Sequence, residues 1–303
     1  MEKNLVSVVM PTYMREPKLI KRAINSVLNQ TYRSIELIVV DDSPNDYHSR
    51  PLVKEYIESF EDNRIVYIAH AKNMGANKAR NTGIKLSIGE YIAFLDDDDE
   101  WLPQKIELQI KEMKSDNEIA LVNCKAILFN EVTNTKRYLI NEINYGYYYK
   151  ELLRQNFIGS NSFVLVKKEV IDEVGLYDEN LLSNQDYDLF LRIAKKHKIS
   201  GVNKVLVNYY VHDGERISTN NLKQLQGRLA IFDKYYNDIS NDHNLKLGWK
   251  IKNIPLYFNA GYKLKSIQLL IELLLKNPIG FIGYLKGTVD YRKKVHNSTV
   301  NES

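Results

Sequence analysis

Short apolar runs rich in β-branched residues recur through the first hundred positions: "LVSVVM" (5–10), "IELIVV" (35–40), "RIVYIA" (64–69) and "YIAFL" (91–95). Between them the apolar positions switch to a helical period. "LIKRAINSVLNQ" sets Leu19, Ile20, Ala23, Ile24, Val27 and Leu28 on one stripe, and "ANKARNTGIKLS" predicts a second helix. Strands apolar throughout, alternating with helices, predict an α/β fold with a buried, mostly parallel sheet and right-handed crossovers. Ligands of such sheets bind beyond the carboxyl ends of the strands. Polar residues directly after strands are therefore the first candidates for chemistry. They form "PTYMR" (11–15), "DDSPND" (41–46), "HAKNMGANKAR" (70–80) and "DDDDEW" (96–101), and all four are expected to converge on one edge.

Further along, "LPQKIELQIKEM" predicts a helix with Pro103 in its first turn. A strand over 119–124, a hairpin around "NEVTNTK" and a Tyr-rich helical stretch, "YGYYYKELLRQ", follow. "SFVLVKKEVIDEVGLYDE" reads as strand, helix and glycine-terminated cap, "DYDLFLRIAKKH" as an amphipathic helix, and "SGVNKVLVNYYVH" (200–212) as a closing strand pair. From about residue 219 the pattern is helical, punctuated at 237–244 and again at "KNPIG" (276–280), and the closing "NSTVNES" is expected to be disordered.

Hydrophobic residues at 44% and charged residues at 26% describe an ordinary globular chain with a sizeable core. The single cysteine, Cys124, lies in "IALVNCKAILF" and is expected to be a small core residue. It permits no disulfide within the chain, which points to a reducing cytoplasm. The six histidines make no zinc-ligand spacing with it. A net charge of +4 is too small to imply nucleic-acid binding, and its placement says more. Residues 1–260 balance 35 basic against 35 acidic side chains, whereas 261–296 carry seven basic residues against Glu272 and Asp290. "MEKNLVSVVMP" is followed by no small-residue cleavage site, which predicts no signal peptide. "IQLLIELLL" is far shorter than the ~20 residues of a spanning helix.

Four carboxylates in a row after an apolar strand need a reason, because like charges about 4 Å apart repel by roughly 1 kcal/mol even in water. Helix capping and the helix dipole account for one or two, Asp99 and Glu100. Asp96, Asp97 and Asp98 stand instead at the mouth of a ligand-binding edge. Carboxylate oxygens suit Mg²⁺ or Mn²⁺, which would remove the repulsion and take further ligands from a phosphate. Neither G-x-x-x-x-G-K-[ST] nor a G-x-G-x-x-G after the first strand is present, so P-loop chemistry and ordinary dinucleotide binding are disfavoured. "NMGANKARNTG" offers Gly75 for backbone access and Arg80 for anionic oxygens, with Lys78 on a solvated helix face as the plainer reading. Asp42 is placed to accept from a base N–H and Tyr13 to stack on a base, although Asp-Asp-Ser-Pro is also turn chemistry.

Taken together, "VSVVMPTYMRE", "SVLNQTYRSIELIVVDDSP", "NMGANKARNTGI", "GEYIAFLDDDDEWLP" and "NQDYDLFLRI" resemble, in order and spacing, the family 2 glycosyltransferases of GT-A fold, over roughly residues 4–218. The resemblance implies a nucleotide-sugar donor, usually UDP-linked, a divalent cation (Mn²⁺ or Mg²⁺) and inversion at the anomeric carbon. It implies a catalytic domain over 1–218, with a nucleotide-binding half (1–100) and an acceptor half (101–218), followed by a helical region over 219–303. Pro11, Tyr13 and Asp42 would line the nucleoside pocket. Asp96 and Asp98 match the family's D-x-D, with Asp98 the metal ligand, Asp96 on the ribose or a metal-bound water, and Asp97 in the variable middle position. Asp186 matches the family's base, while Gln185 replaces the carboxylate that precedes it and leaves acceptor orientation in question; helix capping is the alternative for Asp186. "YYVHDGERIS" resembles the family's Tyr-x-x-His ending and would bring His212 to the metal or diphosphate. Trp101 is read either as an acceptor-sugar platform or as core.

The implied reaction moves a sugar to a hydroxyl of a saccharide or lipid-linked saccharide, as in cell-surface polysaccharide synthesis. The basic, apolar segment 264–296 suits contact with an anionic membrane face, which would place the protein at the inner side of the cell membrane. The alternative is packing on the catalytic domain or on a second copy in a homo-oligomer. Two other functions share the pattern of nucleotide site and acidic residues. A sugar-phosphate nucleotidyltransferase would want a glycine-rich loop that "MPTYMREPKL" lacks, and Gln185 is the one hint of a catalytically silent binding module.

Overall fold

The computed structural model describes residues 1–139, 143–212, 220–284 and 286–287. Two compact units divide the chain: Met1–Tyr149 with Asn156–Glu179 and Asp186–Asp213, and Lys150–Gln155 with Asn180–Gln185 and Gly214–Ser303.

The first unit is built on β1 (Glu2–Thr12), whose Val6, Val8, Val9 and Met10 are wholly buried. Such two-sided burial requires neighbours on both edges and helices on both faces, and the apolar run supplies it. Parallel partners β2 (Ile35–Asp41) and β4 (Gly89–Phe94) flank it, and β3 (Ile65–Ala69) closes the edge beyond β2. Their order, β3-β2-β1-β4, reverses direction at β1, so the strand ends there open a crevice. Beyond β4 the sheet continues through β8 (Leu165–Lys167), β6 (Ile119–Asn130), β9 (Lys198–Val211) and the two-residue β5 (Glu100–Trp101). The hairpin around "NEVTNTK" forms as read, with β7 (Thr135–Tyr138) antiparallel to β6.

Helix α1 (Pro17–Leu28) buries Ile20, Ala23, Ile24 and Val27, while Leu19 turns outward. Helix α2 (Arg50–Glu58) has no counterpart in the sequence reading because its apolar face is two residues, Val53 and Ile57. Helix α3 (Ala76–Leu86) lies between β3 and β4, α4 (Lys105–Met113) follows β5, α5 (Tyr149–Arg154) and α6 (Lys168–Val174) come either side of β8 in the chain, and Cys124 is buried as expected. Two boundaries differ from the sequence reading. Helix α4 begins after Pro103, with Gln104 at its N-cap. Residues 200–211 belong to one strand, not two: β9 runs parallel to β6 and absorbs the "VNK" irregularity as a register shift between Cys124 and Lys125.

Gly89 fixes how closely β1 and β4 approach. A Cβ there would stand 2.6 Å from the carbonyl oxygen of Leu5. Gly89→Ala is therefore expected to destabilise the chain by about 1–3 kcal/mol, read from urea unfolding midpoints.

In the second unit, α8 (Asn221–Lys234), α9 (Tyr236–Ser240), α10 (His243–Asn259) and α11 (Lys263–Lys276) follow in turn. The punctuation at 237–244 resolves into an N-cap, Asp242, accepting from the amides of Asn244 and Leu245. A break the sequence reading lacks lies at 260–262. Gly261 takes φ +91° and the amide of Tyr262 reaches back to the carbonyl of Tyr257, a helix stop that needs a residue free to adopt positive φ. Leu247, Ile251 and Leu273 form the core between α10 and α11, with Leu269, Phe281 and Tyr284 against it.

Candidate active site

The four post-strand segments meet at the carboxyl edge of β1–β4, as their positions in the sequence require. Pro11 and Thr12 end β1 in register with Val40 and Asp41, and Tyr13 beyond them is exposed. Asp42 is buried, and its oxygens accept from His70 Nδ1 (2.7 Å), the Met74 amide (2.8 Å) and the Gly75 amide (2.7 Å). Those bonds take three of the roughly four acceptor positions a carboxylate has. Asp42 thus shapes the loop that leads into α3. Gly75, with φ +93° and open space where a Cβ would stand, is the position that lets this loop turn.

Each carboxylate of the acidic run has its own partner. Arg80 Nη2 donates to Asp96 at 2.7 Å. Asp97 accepts from Thr12 Oγ1 at 2.7 Å and from Arg15 Nε at 3.1 Å, with Arg15 Nη2 at 3.0 Å. Asp98 Oδ2 lies 3.0 Å from His212 Nε2 and 3.6 Å from Arg15 Nη2, and its carbonyl accepts from Arg22 at 2.7 Å. Asp99 is wholly buried and accepts from Ser162 Oγ (2.5 Å) and the Tyr210 amide (3.2 Å). Burial first, and then the charges of Asp98 and Asp96, push the Asp99 carboxyl well above the usual carboxylate range. Protein cations and donors thus reach every carboxylate of the run and offset part of its mutual repulsion.

Two expectations change. Asp99 does not cap α4, since it is sequestered by Ser162 and Tyr210. Glu100 does not either: it is paired to β9 in β5, where its side chain accepts from Asn208 and the Tyr210 hydroxyl. Asp97, in the middle position of the motif, is buried and turned toward Thr12 and Arg15. Trp101 is 2% exposed, donates its indole N–H to the carbonyl of Ser162 and carries Lys105 over its ring at 4.0 Å. A ring with no open face cannot serve as a sugar platform.

Arg80 holds one acid and its charge reaches a second. It is buried beneath Tyr177, whose ring centre is 5.7 Å away, and its positive charge acts on both Asp96 and Asp186. Its Nε and Nη1 have no hydrogen-bond partner among the described residues. Unspent donors on a buried guanidinium are costly unless something arrives to use them. Lys78 is half-buried and lies 3.7 Å from Glu179. Asp186 occupies the first turn of α7 (Gln185–Ala194), partly buried, and accepts from the Tyr187 amide at 2.7 Å. Burial pushes its carboxyl up to about 6; Asp96 adds to the rise and Arg80 opposes it. Gln185, immediately before it, is buried.

Arg15, Arg22 and Ser162 are the site residues that sequence reasoning missed. Arg15 lay in a post-strand segment and opposite charge was its signal. Ser162 carried none: its Oγ donates to Asp99 and accepts from the Asp96 amide at 3.1 Å across 66 positions.

No three His, Cys, Asp or Glu side chains among the described residues are grouped to hold a metal ion. Asp98 and His212 nevertheless converge as an oxygen–nitrogen pair 3.0 Å apart. Mg²⁺ and related hard cations usually take one or two protein ligands and complete their shell from water and phosphate, so this pair fits one.

Residues 7–175 match the family described as glycosyl transferase family 2. An uncharacterized glycosyltransferase of Methanocaldococcus jannaschii is 33% identical over 97% of this chain and 96% of its own length. The UDP-Glc:alpha-D-GlcNAc-diphosphoundecaprenol beta-1,3-glucosyltransferase WfgD of Escherichia coli is 34% identical over 75% of this chain and 84% of its own. Among solved structures, S. aureus TarS 1–349 in complex with UDP-GlcNAc superposes with a TM-score of 0.65 at 17% identity, covering 92% of this chain and 79% of that one.

Proposed function

Since the chain belongs to glycosyl transferase family 2 and has the GT-A fold of its structural neighbours, we propose that it transfers a sugar, with inversion, from a UDP-linked donor to a saccharide hydroxyl. The acceptor we propose is a lipid-linked saccharide, as in surface polysaccharide synthesis, in keeping with the names of the donor-bound TarS and of WfgD. The observation that carries this reading is Arg80, whose buried guanidinium holds Asp96, acts by its charge on Asp186 and keeps two donors unspent.

In this mechanism Tyr13 and Pro11 flank the nucleoside and Asp42 addresses the base. Asp96 meets the ribose, and Nε and Nη1 of Arg80 donate to diphosphate oxygens. Asp98 and His212 would hold Mn²⁺ or Mg²⁺, which offsets the charge gathering on the departing nucleoside diphosphate. Asp186 takes the acceptor hydroxyl proton as that oxygen attacks the anomeric carbon from the face opposite the diphosphate. The bond from that carbon to the diphosphate breaks, its electron pair leaves with the nucleotide, and one in-line displacement inverts the centre. Gln185 stands beside the base on the acceptor side.

A panel of nucleotide-sugars tested for Mn²⁺-dependent thermal stabilisation checks the reading. UDP-sugars should raise Tm with Mn²⁺ present and lose that effect with a chelator, and Asp98→Ala should abolish the cation dependence. Stabilisation by every donor equally with and without Mn²⁺ would refute the metal assignment. Donor binding with neither transfer nor donor hydrolysis would identify a silent binding module instead.

A further inference from the structure

Helix α11 is apolar on two opposite faces. One face, through Leu273 and the half-buried Leu269, completes the core against α10. The other repeats at the spacing i, i+3, i+7, i+11: Leu264, Ile267, Ile271 and Leu275, with Leu264 and Leu275 each 79% exposed. After a bend of 111° the exposure continues on the helix Pro278–Tyr284, where Ile279 is 84% exposed and Ile282 is also open. A helix needs one apolar face to fold onto its neighbour. A second, continued onto the next helix, marks a surface that something covers.

We infer that this surface lies in the interface of an anionic lipid bilayer, with α11 along the membrane plane. Charge selects that occupant. Lys263 projects on one flank of the stripe and Lys265 and Lys276 on the other, while Glu272, the acid of α11, is engaged by Lys250 at 3.1 Å and Lys276 at 3.5 Å. Two copies meeting through this stripe would bring the Lys263 and Lys265 charges of each together, whereas anionic headgroups answer them. The bend also denies a second copy the straight seam that paired helices need. No single described helix is long and apolar enough to cross a membrane, so the contact is in-plane. The inference deepens the lipid-linked acceptor reading by assigning the surface that meets the lipid.

Flotation of the full chain with vesicles of equal phosphatidylglycerol and phosphatidylcholine tests it without donor or acceptor. The chain should float with these vesicles and not with phosphatidylcholine alone, and high salt should weaken binding. Leu264→Glu with Leu275→Glu should cut the bound fraction at least about tenfold. Leu52→Glu, at an exposed position on α2, should leave it unchanged. Failure of the wild type to float overturns the inference. So does equal flotation of the double variant, or an ultracentrifugal dimer of the wild type that the double variant dissolves while vesicle binding is unchanged. UDP calorimetry on the same preparations separates this outcome from failure of the glycosyltransferase mechanism, since the double variant leaves the nucleotide site untouched.

Discussion

Asp186→Asn should remove sugar transfer by about 10²–10⁴-fold while leaving UDP affinity, measured by calorimetry, within about twofold. Asparagine keeps the shape of the side chain and still accepts from the Tyr187 amide, so α7 keeps its first turn. What disappears is the ability to take a proton. The loss belongs in kcat rather than KM. In the wild type the group must be ionised to act, and its carboxyl is pushed up to about 6, chiefly by burial. Transfer should therefore be flat above about pH 7 and fall roughly tenfold per pH unit below about 6. A nucleotide affinity that drops in step with transfer would move Asp186 out of the base role and into the donor pocket.

Arg80→Met should lower kcat by about 10²–10³, the usual cost of deleting one preorganised charge facing the departing group. It should also move the acid limb of the pH profile, with a sign that can be worked out. Arg80 lowers the Asp186 carboxyl toward its ordinary range. Without that cation the carboxyl rises further above its present value, so the limb shifts to higher pH. Arg80→Lys separates the two effects. It keeps the charge, and the limb stays near its wild-type position, yet an ammonium cannot reproduce a planar fork that holds Asp96 with Nη2 while presenting Nε and Nη1 elsewhere. Recovery of transfer in the lysine variant would show that a point charge is all the site requires.

The parallel strands, the post-strand segments and the acidic run were legible in the sequence because each rests on a local signal: an apolar run, a turn, a cluster of like charge. Helix α2 was not, since only Val53 and Ile57 mark its buried face. The stop at 260–262 was not, because a lone glycine signals a helix end only once its φ is known. The motif located the acidic run yet could not say which carboxylate faced outward. That depends on Thr12, Arg15, Ser162 and Tyr210, which reach the run from three other stretches of chain. Trp101 shows the same limit: only the Ser162 carbonyl and the Lys105 stack decide that its ring is closed off.

The stapling of the acidic loop by Ser162 and His212 also bears on biosynthesis. During translation, β1–β4 can assemble as soon as they emerge, but Asp96 and Asp99 gain their hydroxyl anchor only with residue 162, and Asp98 its imidazole only with residue 212. A nascent chain halted before that point would hold these strands without their finished acidic rim, so the proposed capture of a donor on the ribosome should begin late and abruptly.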